Sequence, residues 1–243
     1  AAHHPKASGI LSLANWIGQQ TNASVGYLTE AANTVGAQWV GAQPLKNGLS
    51  AGQMLSNGKT GLKAVLLLNN EPEFDSAAGK LAKNALSQAQ MVVSLNPFKA
   101  NMDVCDVMLP IAPFTETSGS FVNAEGRLQS FHAVVKPLGE TRPAWKVMRV
   151  LANMLSVPGF EFESSVDVLK QLQGQLADIQ TAVTSSLNNL TDAKIDLSSS
   201  NVAPVTASIY QLDGIVRRAP ALQATADAKI QTTQMAKEQE VSA

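Results

Sequence analysis

Apolar residues recur at Ile10, Leu13, Ala14 and Ile17, a three-to-four spacing that predicts a helix over residues 8–23. "SVGYL", 24–28, reads as a short strand. Residues 41–61 are rich in glycine and polar side chains, with a short helix expected around "LSAGQML". The unbroken apolar run "KAVLLLN", 63–69, predicts a strand buried on both faces. Ala78, Leu81, Ala82, Ala85 and Ala89 then form a helical stripe over 76–89, with Asp75 placed to cap its first turn. "MVVSL", 91–95, predicts a second buried strand and "DVMLP", 106–110, a third. Strand, helix and strand at this length imply a right-handed crossover and parallel pairing.

Farther along, "RLQSFHAVV", 127–135, alternates Phe131, Ala133 and Val135 against Ser130 and His132, as a half-buried strand does. Pro143 opens a helix that carries Ala144, Val147, Met148, Leu151 and Leu155 on one face, and Pro158–Gly159 ends it. Ser164 with Asp167 forms a capping box. The helix behind it aligns Val166, Leu169, Leu172, Leu176, Ile179, Val183 and Leu187, a stripe expected to be buried against this domain or a partner. The expected organisation is an α/β domain over 1–160, an amphipathic helical segment over 161–190, a Ser/Thr/Asn-rich linker over 191–208 and a docked apolar tail over 209–243.

Composition narrows the function classes. Apolar residues make up 45 % of the 243, enough for a substantial core, and the net charge of −1 gives no basic excess suited to nucleic acid. The single cysteine, Cys105, cannot by itself make an internal disulfide, a four-cysteine zinc site or an iron–sulfur cluster. No apolar run is long enough to span a membrane. Missing an initiator methionine, the chain reads as part of something longer.

Candidate motifs are few. "NGKTG", 57–61, fails the phosphate-loop pattern, because Gln53 stands where the first glycine belongs, and no G-x-G-x-x-G is present. The three histidines lack ligand spacing. Glu71, Glu73 and Asp75 follow the 63–69 strand, where an acid can hold ribose hydroxyls, but a helix cap with two solvated glutamates is the favoured reading. "ETSGSFVNAEGRLQSF", 116–131, concentrates Glu116, Gly119, Asn123, Glu125, Gly126 and Arg127 between apolar runs. Its glycines are expected to need a positive φ, and its polar side chains to satisfy turn amides or pair with one another.

That loop, within residues 105–155, resembles the signature of the molybdopterin oxidoreductase superfamily: a strand ending in "DVMLP", an acid at Glu116, Gly119-Ser120-Phe121 with Asn123, and Glu125-Gly126-Arg127 with Gln129. "EAANTVGAQWVGAQP", "LLLNNEPEFD", "VVSLNPFK", "PLGETRPAWKV" and "VRRAPALQAT" further resemble the family of large iron–sulfur subunits of respiratory NADH:quinone oxidoreductase, complex I. The resemblance implies a mainly parallel sheet flanked by helices, with a helical C-terminal extension. It implies a parent subunit holding [2Fe–2S] and [4Fe–4S] clusters in a region N-terminal to this one, with FMN elsewhere in the complex. It further implies electron transfer from NADH to quinone coupled to ion translocation, other peripheral-arm subunits as partners, and a place on the cytoplasmic side of a bacterial inner membrane. This segment is then scaffold, with no catalytic residue, no metal ligand and no cofactor of its own. Glu116, Gly119, Asn123, Glu125 and Arg127 are the residues that resemble a remnant pterin loop. Two alternatives stay open: part of a true molybdopterin enzyme such as a formate dehydrogenase, or a non-catalytic module for a nucleotide-like ligand.

Overall fold

A computed structural model describes residues 6–29, 31–42, 44, 48–56, 61–76, 79–186, 193–195 and 208–230, with the backbone alone within 176–186. In chain order the helices are α1 (Ala7–Thr21), α2 (Thr34–Trp39), α3 (Ala51–Ser56), α4 (Pro72–Asp75), α5 (Lys80–Ser87), α6 (Ala144–Met154), α7 (Ser165–Ser186), α8 (Ile209–Leu212) and α9 (Pro220–Gln223). The strands are β1 (Ala64–Leu68), β2 (Met91–Asn96), β3 (Val107–Pro110), β4 (Gly119–Val122) and β5 (Leu128–Phe131). The chain divides into two compact units, Ala1–Val25 with Asn189–Ala243, and Gly26–Asn188.

In the first unit, α1 ends where Asn22 turns left-handed at φ 53° and its N–H reaches Gly18 O. A Cβ on Gly18 would stand 2.5 Å from Val25 Cγ2, so the chain folds back on the helix end. The strand expected at 24–28 is absent, because no strand among the described residues pairs with its backbone groups. Within 208–223 the chain curls on itself: Asp213 Oδ1 accepts from the N–H groups of Ile215 and Val216, and Gln223 Nε2 donates to Tyr210 O and Val216 O, both at 2.9 Å; residues 231–243 of the expected tail lie outside the described residues.

The second unit carries the predicted α/β fold. β1, β2 and β3 pair in parallel in that order, with Leu67 opposite Ser94 and Ser94 opposite Met108. One sheet face meets α3 and α5 in a core of Leu55, Leu67, Ala82, Ala85, Leu86 and Val92, with Cys105 partly buried beside it. Of the expected stripe, Ala82 and Ala85 are buried there beside Leu86 and Ala89 packs against the same core, while Leu81 is exposed and Ala78 lies outside the described residues. The other face is bare at Leu66 and Leu68, 44 % and 46 % exposed, so β1 is not buried on both sides. An apolar run shows that a strand can be covered on both faces; it does not supply the second cover.

Asp75 does not cap α5. It ends α4 and accepts from the Glu71 N–H at 2.6 Å, and α5 starts at the glycine N-cap Gly79. The expected capping box on α7 is present: Asp167 Oδ2 accepts from Ser164 N and Oγ, and Ser164 Oγ accepts from Asp167 N. On the α7 stripe Leu169 and Leu172 are half-buried and Val166 is exposed. Leu187 lies outside the described residues, as do the side chains of Leu176, Ile179 and Val183.

Leu86 is 2 % exposed at the centre of the α5–sheet contact. Leu86→Ala is expected to lower unfolding free energy by about 2–5 kcal/mol, read by chemical denaturation; a change under about 1 kcal/mol would place the core elsewhere.

Candidate functional site

The 116–131 stretch belongs to an excursion that leaves the sheet and returns to one point. Ile111, just beyond β3, bridges in parallel to Arg142, and the Ala112 N–H reaches Arg142 O at 2.9 Å. Within it, β4 and β5 form an antiparallel hairpin pairing Gly119 with Phe131 and Val122 with Leu128. The β5 strand stops at Phe131, shorter than its alternation suggests, and Val134 is 82 % exposed. Beyond Phe131 the backbone leaves the ladder and pairs with the turn ahead of β4, with Val134 N–H on Thr115 O at 2.9 Å.

The polar residues serve the loop's own backbone. Glu116 closes a 3₁₀ turn, and its Oε2 accepts from Leu138 N at 2.9 Å. Asn123 Oδ1 accepts from the N–H groups of Glu125 and Arg127, at 3.0 and 2.9 Å, and ties the hairpin turn. Glu125 and Arg127 are exposed and form no ion pair with each other. Gly126 has φ +80°, the left-handed region expected of it. Gly119 does not: its φ is ordinary, and it is small because a Cβ there would stand 2.7 Å from Phe131 Cζ. Phe131 in turn meets Phe121 edge-on, ring centroids 5.1 Å apart.

A distant segment holds the hairpin. Asn33 Oδ1 accepts from Val122 N at 2.8 Å, and Trp39 lies 3.5 Å from where a Gly126 Cβ would sit. Gly36 leaves room for that asparagine, since its Cβ would fall 2.1 Å from Asn33 Oδ1. Local sequence rules do not single out Asn33 and Trp39; only the family resemblance of "EAANTVGAQWVGAQP" points to that segment.

At the carboxyl ends of the parallel strands, the usual place for a ligand, asparagines bind one another's backbone. Asn96 Nδ2 and Asn101 Nδ2 both donate to Asn70 O, and Asn101 Nδ2 also reaches Ser94 Oγ at 3.2 Å. Asn96 Oδ1 takes the Phe98 N–H at 2.9 Å. Glu71 is buried at 6 % exposure rather than solvated. Glu73 pairs with Lys83 at 3.3 Å, and Lys83 also pairs with Asp103. The cavity among Glu71, Phe74, Lys83 and Asn101 holds about 40 Å³. Among the described residues, no group of three His, Cys, Asp or Glu side chains is arranged to hold a metal ion.

The molybdopterin oxidoreductase family model matches residues 1–154, more than half of the chain. The chain belongs to the molybdopterin oxidoreductase family. Similar curated proteins include "Probable oxidoreductase YjgC" of Bacillus subtilis, 35 % identical over 34 % of this chain and 8 % of that protein. Two Staphylococcus aureus proteins match as well. "Putative formate dehydrogenase SAB2186c" is 44 % identical over 24 % of this chain and 6 % of its own length, and "Putative formate dehydrogenase SAR2393" is 45 % identical over 21 % and 5 %. The matches thus span under a tenth of these relatives' own lengths.

The family name implies a molybdenum-bearing pterin in related proteins. The strand-end residues of this chain do not fit that group as they stand. Their amides are taken by Asn70, Ser94 and Phe98, and a 40 Å³ cavity is far below the roughly 300–1,000 Å³ of cofactor sites.

The two loop glycines respond differently to substitution. Gly126→Asn is expected to be tolerated, since asparagine accepts the left-handed region, while Gly126→Val costs on the order of 1–3 kcal/mol. Gly119→Ala is expected to destabilise through contact with Phe131 and to be relieved by Phe131→Leu, a double-mutant coupling that Gly126 variants lack; equal melting midpoints across the set would refute both assignments.

The Lys83 clasp carries a pH signature. Asp103 is held below the ordinary carboxylate range, first by its hydrogen bond from Lys83, and Lys83 is raised, first by Asp103 and then by Glu73. Stabilisation from Asp103 is thus complete above an unfolded pKa of about 3.9 and is lost as pH falls through the lower folded value. That from Lys83 is complete below about 10.4 and is lost as pH rises through its raised value. The stability difference between wild type and Lys83→Met, measured by urea melts, should be level across neutral pH and shrink at both extremes. A difference independent of pH would dismiss the clasp.

Proposed function

We propose that this chain is the structural, subunit-contacting portion of the large iron–sulfur subunit of an NADH:quinone oxidoreductase. The parent would pass electrons from NADH through FMN and iron–sulfur clusters to quinone, with ion translocation, at the cytoplasmic side of a bacterial inner membrane. The observation that carries this reading is the internal use of polar groups. Glu116 and Asn123 bind their own loop, and Asn96 and Asn101 bind their own strand ends, so these groups are engaged within the chain. The resemblance of "PLGETRPAWKV" and "VRRAPALQAT" to the large iron–sulfur subunits of complex I supports it, the second stretch lying beyond the family-matched span. Among the described residues no helix is long and apolar enough to cross a membrane, in keeping with a part held by other subunits.

A second reading, part of a formate dehydrogenase-like molybdoenzyme, is favoured by the names of the similar proteins. Purifying the natural parent with its partners separates the two. The first reading expects co-purification with NADH:quinone reductase activity and iron, without stoichiometric molybdenum. Stoichiometric molybdenum with formate oxidation would replace it by the second.

A further inference from the structure

A cleft of about 570 Å³ opens within the second unit between the 116–118 turn, the return segment at 133–137, the first turn of α6 and the start of α7. That volume falls within the roughly 300–1,000 Å³ of small-molecule sites. Three cations line it, Lys136, Arg142 and Lys146, against two carboxylates, Glu116 and Glu163. The groups differ in how far they are already engaged. Glu116 is held by the Leu138 N–H, and Arg142 turns to its own loop through Thr141 O at 2.8 Å and Glu140 at 3.4 Å. Lys136 is exposed and has no acidic partner among the described residues. Lys146 meets the Trp145 ring, 5.4 Å from its ammonium group, and no described acid. Glu163 is the remaining acid facing the cleft.

Hydroxyls complete the lining. Ser118 Oγ and Ser165 Oγ share one hydrogen bond at 2.7 Å. Whichever donates, the other hydroxyl keeps its own hydrogen for a further acceptor. We propose that this cleft binds a small phosphate-bearing ligand, with Lys136 and Lys146 neutralising the phosphate, the serine pair donating to it, and Trp145 forming an apolar wall. Two separate ammonium groups with rotatable hydroxyl donors suit a tetrahedral dianion. A planar carboxylate is better matched by a free guanidinium fork, and the guanidinium lining this cleft, that of Arg142, is committed elsewhere.

The test uses the full chain, with inorganic phosphate and AMP as probes, titrated by phosphorus NMR at constant ionic strength. Saturable binding of at least one probe is expected, weakened roughly tenfold or more in Lys136→Ser/Lys146→Ser, which is about 1.4 kcal/mol or more. Lys63→Ser, a lysine not on the cleft, should leave affinity unchanged. Both cleft lysines are exposed, so the double variant is expected to fold, as its circular dichroism would confirm. Failure of both probes to saturate, equal affinity in the double variant, or equal weakening by Lys63→Ser would each overturn the proposal.

Discussion

Docking of α5 onto one face of the parallel sheet is the contact on which the second unit depends. Parallel strands cannot be joined by a tight turn, so β1 and β2 require a crossover, and the crossover helix must bury its apolar side on the sheet it spans. Ala82 and Ala85 allow that helix to approach closely, and Leu86 fills the space against Leu67 and Val92. Everything at the carboxyl end of the sheet inherits its position from this packing.

With the strands placed, their ends leave backbone groups that need partners. Asparagines supply them. Asn96 and Asn101 gather on Asn70 O, Asn123 closes the hairpin turn, and Asn33 fixes the hairpin through Val122. A short amide offers a donor and an acceptor at little cost in side-chain entropy, and it tolerates the left-handed backbone found at Asn69 and Asn101. The consequence is a strand-end region whose amides are spent internally. Membership of a cofactor-binding family and the lack of a fitting cradle in these residues are compatible under the scaffold reading.

The 111–142 excursion is held by contacts within its own chain. Its two ends meet at Ile111 and Arg142, its middle is a hairpin, and Glu116 spans the gap to Leu138. What it leaves beside it is the cationic cleft, whose two lysines no described acid neutralises. Saturation at the strand ends and unspent charge in the cleft are opposite outcomes of the same requirement that polar groups find partners.

Local, periodic features were readable from the residues alone. The three strands of the parallel sheet, the α6 and α7 helices, the Ser164–Asp167 box and the Gly126 turn were all legible, because each rests on residues within a few positions of one another. The family was legible too, through a motif dense enough to be recognised. Contacts between distant segments settled the rest. Gly119 is small because of Phe131, Gly36 because of Asn33, and Asp75 turns back to Glu71 instead of forward to α5. "SVGYL" has β-forming residues but no described neighbour to pair with, and Leu66 and Leu68 have a strand's hydrophobicity without cover on their side. Each of these depends on which chain segment lies across from a residue, and side-chain periodicity holds no information about that.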